Sequence, residues 1–154
     1  MIIPPLGKLN VSKECASWLV SSPVAIDLLD GKEMLFTFDG LTNADVADVS
    51  RAVSAFLKLG RKEREEASLP IFANYQRMAD LMDEEDLGCQ ASSPSEIWAH
   101  VRPTAIYVER ESSDGKIYVS VAANCAWERE HGLQLVYRDG HLLSRVSEQD
   151  GHLI

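Results

Sequence analysis

The chain has 154 residues, 45% of them apolar and 25% charged. That is the balance of an ordinary soluble domain, and it excludes intrinsic disorder and collagen-like sequence. No apolar run is long enough for a membrane span, and 15 basic against 24 acidic residues (net charge −9) disfavours nucleic acid as a general ligand.

At about 100–200 residues per domain, this length corresponds to one domain. A subdivision near residues 90/91 separates a hairpin-plus-helix part (1–90) from a short helix and sheet (91–154). The start, MIIPPLGKLN, has neither a basic n-region nor an apolar h-region, so it does not read as a signal peptide. Cys15, Cys89 and Cys125 are an odd, widely spaced set without a C-x-x-C pair. Reduced thiols in a cytoplasmic protein are therefore expected.

The apolar runs Val24–Leu29 and Met34–Phe38 flank Asp30-Gly31 and predict a β-hairpin, with Leu6–Val11 as a third short strand. Val46, Val49, Val53, Phe56 and Leu57 then recur at spacings of three and four, one face of a helix. Thr42 or Asn43 is placed to cap its start, and Gly60 to end it in the left-handed conformation. A second helix is predicted from about Lys62 to Met82, with Ala67, Ile71, Tyr75, Met78 and Met82 inward and a kink or break at Pro70.

Ser93-Pro94-Ser95-Glu96 reads as a capping box opening a short helix, with Ile97, Trp98 and Val101 inward, that ends before Pro103. From Thr104 the period becomes two. Ile106 and Val108, then Ile117, Val119, Val121, Ala123, Cys125 and Trp127, then Leu133, Leu135 and Tyr137, then Leu142–Val146 predict a four-stranded antiparallel meander. Its turns fall at Ser113–Lys116, at a polar connection Glu128–Gly132, and at Asp139-Gly140. Strands, then helices, then strands give an α+β fold class, with the helices on one face of the sheet.

Acidity is concentrated in the middle. Residues 61–100 hold nine acids and four bases, with a cluster at Asp80, Asp83, Glu84, Glu85 and Asp86. Such a run is either a solvated helix end or a surface for a basic protein, since complementary fields speed encounter and select partners.

The segment Asn124–Gly132 gathers Cys125, Trp127, Glu128, Glu130 and His131. Read for catalysis, Cys125 and His131 would be nucleophile and base, with Glu128 or Glu130 orienting the ring. Against this, Cys125 shares a strand face with Val119 and Val121, and burial leaves a thiol inert. Glu128, Glu130 and His131 also offer metal-ligand types, but nothing matches H-E-x-x-H or another ligand spacing. The residues therefore predict neither a metal set nor a cofactor. The third account has His131 fitting a turn, with Gly132 supplying a positive φ. Tyr107, Tyr118 and Tyr137 read as a cross-strand cluster rather than a base-stacking platform. No phosphate-loop or nucleophile-elbow motif occurs.

The same segment resembles the C-D-W-D-x-E-H-G-hydrophobic signature near the C-terminus of a bacterial family of uncharacterised α+β domains, some of them similar to immunity proteins of polymorphic toxin systems. Cys125, Trp127, Glu130, His131, Gly132 and Leu133 match; Ala126 and Glu128 replace the two aspartates. The resemblance brings no established reaction with it. It implies a non-enzymatic protein-binding domain, in its sharpest form one that neutralises a cognate toxin, and the acidic middle segment points to a basic one. The candidate binding residues are then Trp127, Glu128, Glu130 and His131, with Asp83, Glu84, Glu85 and Asp86. The rival is a small metal-binding protein or enzyme centred on the Cys125–His131 segment. A third reading is a structural subunit that self-associates through a sheet edge; the oligomeric state is left open.

Overall fold

A computed structural model describes all residues, 1–154. The chain forms β1 (Ile2–Ile3), β2 (Gly7–Lys8), β3 (Asn10–Val11), β4 (Leu19–Val20), β5 (Val24–Ile26), β6 (Lys32–Met34), β7 (Phe36–Phe38), α1 (Val46–Leu57), α2 (Arg61–Ala79), α3 (Glu84–Leu87), β8 (Val101–Arg110), β9 (Ile117–Cys125), β10 (Glu128–Arg138) and β11 (Leu142–Ser147). It is a mixed α and β structure whose main sheet has seven strands in the order β11-β10-β9-β8-β7-β4-β3. All neighbours are antiparallel except β7 and β8, which run parallel. That exception follows from topology: the segment between them contains α1 and α2, and a helical crossover returns a strand in the same direction.

The C-terminal strands β8 to β11 pair in succession, four of the seven strands. The N-terminal hairpin is shorter than its sequence suggests. Val24–Ile26 pairs with Lys32–Met34, but Leu28 and Leu29 lie in a 3₁₀ turn and Phe36–Phe38 leaves for the main sheet. There Phe36 packs edge-to-face on Phe56 of α1 at 5.9 Å. The Leu6–Val11 stretch is likewise split into β2 and β3, with Leu9 buried between them.

Several helix boundaries also differ from expectation. Gly60 is not a left-handed cap; its φ is −131° and it opens α2, its N–H donating to Glu63 Oε2 at 2.9 Å. Helix α2 runs unbroken through Pro70. Ala67, Ile71 and Tyr75 are buried as predicted, whereas Met82 lies beyond the helix and is exposed. The segment Pro94–His100 is a 3₁₀ helix, and Glu96 accepts the N–H of Ser92 rather than that of Ser93. Strand β8 begins at Val101 and absorbs Pro103 at a register shift. Proline has no N–H for the ladder, so it is tolerated at such an irregularity.

The helices lie against the sheet face that carries Ile106, Val108, Val119, Val121, Leu133, Leu135 and Tyr137, all buried. Phe56 meets Tyr137 edge-to-face at 5.6 Å. The start of α1 is pinned to β8 by Arg110, which donates to Asp45 at 2.8 Å and to Asp48 at 2.9 Å. On the opposite face Tyr118 and Val136 form a small second cluster with Leu153 of the C-terminal tail. The tail is held there by Arg145, whose guanidinium donates to both carboxylate oxygens of Asp150 at 2.7 and 2.6 Å, and by Gln134, which donates to the carbonyl of His152 at 2.8 Å. No helix is long and apolar enough to cross a membrane.

Candidate functional site

The β9–β10 hairpin turns at Ala126-Trp127, with Cys125 paired to Glu128. Trp127 therefore sits in the turn rather than extending the strand, and Glu128–Gly132 belongs to β10 instead of forming a connection. A register irregularity between Glu128 and Leu133 accommodates the extra residues. The Glu128 carboxylate organises it, one oxygen accepting the backbone N–H groups of Glu130 and His131, each at 3.1 Å. Gly132 takes the positive φ (63°) expected of it. A Cβ there would stand 2.6 Å from the Ala123 carbonyl oxygen and 2.6 Å from Gln149 Nε2, so only glycine fits.

Trp127 is 2% exposed. Its indole N–H donates to Asn74 Oδ1 on α2 at 2.9 Å, and its ring meets Tyr75 edge-to-face at 5.7 Å. Cys125 is 5% exposed, with its thiol 3.7 Å from the Glu128 carbonyl oxygen. Burial pushes this thiol up to about 11. A thiol with so little thiolate at neutral pH is a poor nucleophile. No hydrogen bond joins it to His131, whose Nδ1 faces Glu128 Oε1 at 3.5 Å and Glu148 Oε2 at 3.9 Å. The Cys–His pair is thus not assembled. Cys15 differs: it is held below the usual thiol range mainly by its hydrogen bonding to the Ser17 hydroxyl, 3.0 Å away. Iodoacetamide at pH 7.5 is expected to modify Cys15 first and Cys125 only once the domain unfolds. Peptide mapping over time checks this, and equal rates at the two sites would show that the hairpin interior is open.

The acidic segment lies nearby. Asp83 precedes α3, Glu84, Glu85 and Asp86 are exposed along it, and Leu87 is buried and anchors it. Gly88 ends α3 with φ 80°, and a Cβ there would stand 2.6 Å from the Ala126 carbonyl oxygen. This close approach docks α3 onto the β9–β10 turn. Met82, Asp86, Trp127, Glu128 and Glu130, with Arg129, consequently line one shallow groove of about 300 Å³. Asp86, Trp127, Glu128 and Glu130 of the candidate binding residues meet there. Asp83, Glu84 and Glu85 occupy the adjoining exposed surface, and His131 lies outside the groove.

Among protein-family models, residues 5–153 match the family described as Domain of unknown function (DUF6985). The chain belongs to the DUF6985 family. No curated protein and no solved structure matches it. In this DUF6985 domain, residues absent from the sequence-based candidate set complete the site: Asn74, which receives the indole N–H; Gln149, whose N–H donates to the His131 carbonyl at 3.0 Å; and Glu148. Glu148 and Gln149 were signalled only indirectly, through the Asp139-Gly140 turn. Pairing folded back at that turn sets Gln134 against Ser147 and so carries the tail to His131.

Proposed function

We propose that this domain is a non-enzymatic protein-binding module of the immunity type, acting in the cytoplasm of a bacterium, and that it holds a basic toxin through the groove between α3 and the β9–β10 turn. The observation that carries the reading is the meeting of sequence-distant acidic residues, Asp86 of α3 with Glu128 and Glu130, in one groove with the exposed side chain of Met82, while Asp83, Glu84 and Glu85 occupy the adjoining surface. The preceding residue, Leu81, is 81% exposed. The groove's three carboxylates, Asp86, Glu128 and Glu130, outnumber its one base, Arg129, and an apolar anchor in a predominantly acidic rim suits a partner of opposite charge. A stable complex buries about 1,200–2,000 Å² in total, so the groove seats one or two anchoring side chains and the exposed face of α3 supplies the surrounding contact. The buried, unreactive Cys125 and its separation from His131 favour binding over chemistry.

The test is capture from a lysate of the source organism at low and high salt, with wild type and the double variant Asp86→Lys/Glu130→Lys. The expected result is one basic protein held at low salt, released as the screening length shortens to about 3 Å near 1 M salt, and not held by the double variant. A partner indifferent to both salt and charge reversal, or no partner at all, overturns the reading.

A further inference from the structure

Beside the groove, on the side facing the C-terminal tail, three donor groups from two chain segments converge. His131 Nδ1 lies 3.5 Å from Glu128 Oε1 and 3.9 Å from Glu148 Oε2, and the three ligand atoms all fall within 4.8 Å of one another. Zinc binds imidazole nitrogen and carboxylate oxygen at about 2.0–2.2 Å, which in tetrahedral geometry sets neighbouring donors about 3.4 Å apart. The distances of 3.5 and 3.9 Å approach that spacing, and Glu148, the more distant ligand, is 55% exposed and so has room to move toward His131. We propose that Glu128, His131 and Glu148 bind one divalent zinc-type cation, with water filling the open coordination positions, a site that goes beyond the protein-binding function.

Charge and support both favour this assignment over an ion pair. Neither Glu128 nor Glu148 has a Lys or Arg partner; each pairs only with His131. Two carboxylates around one imidazole leave net negative charge whether or not the ring is protonated. The segments are also held together without a metal. The Gln149 N–H donates to the His131 carbonyl at 3.0 Å, and the Gln149 side chain donates to the Ala123 carbonyl at 2.9 Å. The Glu128 carboxylate is oriented by the N–H groups of Glu130 and His131, the role outer hydrogen bonds play in orienting metal ligands. Glu128 is mostly covered (18% exposed), whereas His131 and Glu148 are 56% and 55% exposed, so the open side of the site faces solvent. One nitrogen and two oxygens suit zinc better than magnesium or calcium, which take oxygen ligands and more of them.

The experiment is calorimetric titration of ZnCl₂ into the full chain carrying Cys15→Ser and Cys89→Ser, which removes the two thiols accessible to zinc, followed by amide NMR. One equivalent of Zn²⁺ is expected to bind, with shifts confined to residues 128–132 and 147–150. His131→Ala abolishes binding, Glu148→Gln weakens it by about tenfold or more, and His141→Ala and excess Mg²⁺ leave it unchanged. Circular dichroism confirms that each variant is folded. Absence of saturable binding, or binding retained in folded His131→Ala, overturns the site. No partner protein enters the assay, so this outcome and that of the lysate capture are independent.

Discussion

Gly140→Ala destabilises the domain by about 3–4 kcal/mol, whereas Gly115→Ala costs about 1 kcal/mol, although both glycines end a hairpin with positive φ. The two share the left-handed strain, φ being 79° at Gly140 and 71° at Gly115. They differ in what a methyl group would meet. At Gly115 nothing lies within 4 Å, but at Gly140 the new carbon would stand 2.7 Å from the Ala52 carbonyl carbon and overlap its oxygen. That oxygen belongs to the backbone of α1, so no side-chain rotation relieves the collision. The β10–β11 turn and the helix would have to separate, opening the contact of Phe56 with Tyr137. Urea unfolding reads the difference directly. With a slope of about 2 kcal/mol per molar, the Gly140 variant should lose about 1.5–2 M of its midpoint and the Gly115 variant about 0.5 M. Equal midpoints would show that the helix does not rest on the turn.

Trp127→Ala should cost about 3–5 kcal/mol, the range for removing a buried aromatic ring. At about 2–4 °C per kcal/mol for a chain of this size, the melting temperature falls by roughly 10 °C. The loss has two parts that a second variant separates. Trp127→Phe keeps a ring against Tyr75 but leaves Asn74 Oδ1 without its donor, a loss of about 1 kcal/mol. His131→Ala, at a half-exposed position, should stay within about 0.5 kcal/mol of wild type. Scanning calorimetry on the three variants thus sorts the Cys125–Leu133 segment into packing and surface residues. A Trp127→Ala protein melting with wild type would place the indole outside the core.

The residues of β9 show why part of this was legible in the chain itself. Strict alternation at Val119, Val121, Ala123 and Cys125 has one physical explanation, a strand with a buried face, and local pattern suffices to read it. The face of α1 and the positive φ of Gly132 belong to the same kind of information. The N-terminal strands failed that test because Met34 and Phe36 are equally apolar, and nothing in their order says that the chain changes sheet between them. Pro70 misled for a related reason. Its local cost argues for a break, but the packing of Ala67 on one side and Ile71 and Tyr75 on the other holds the helix through it.

The candidate site divides along the same line. Cys125, Trp127 and His131 stand out as a group because they are close in sequence, and the burial of Cys125 follows from its strand parity. What they touch does not follow. Asn74, Asp86, Glu148 and Gln149 reach this hairpin from α2, from α3 and from the tail, between 17 and 53 positions away. Local periodicity reports which side of an element is apolar, because that depends on near neighbours along the chain. Which elements meet, and therefore which carboxylates gather around Met82 or face the His131 ring, depends on strand register and helix docking. Those are set by the packing of the whole core, and only the folded molecule contains them.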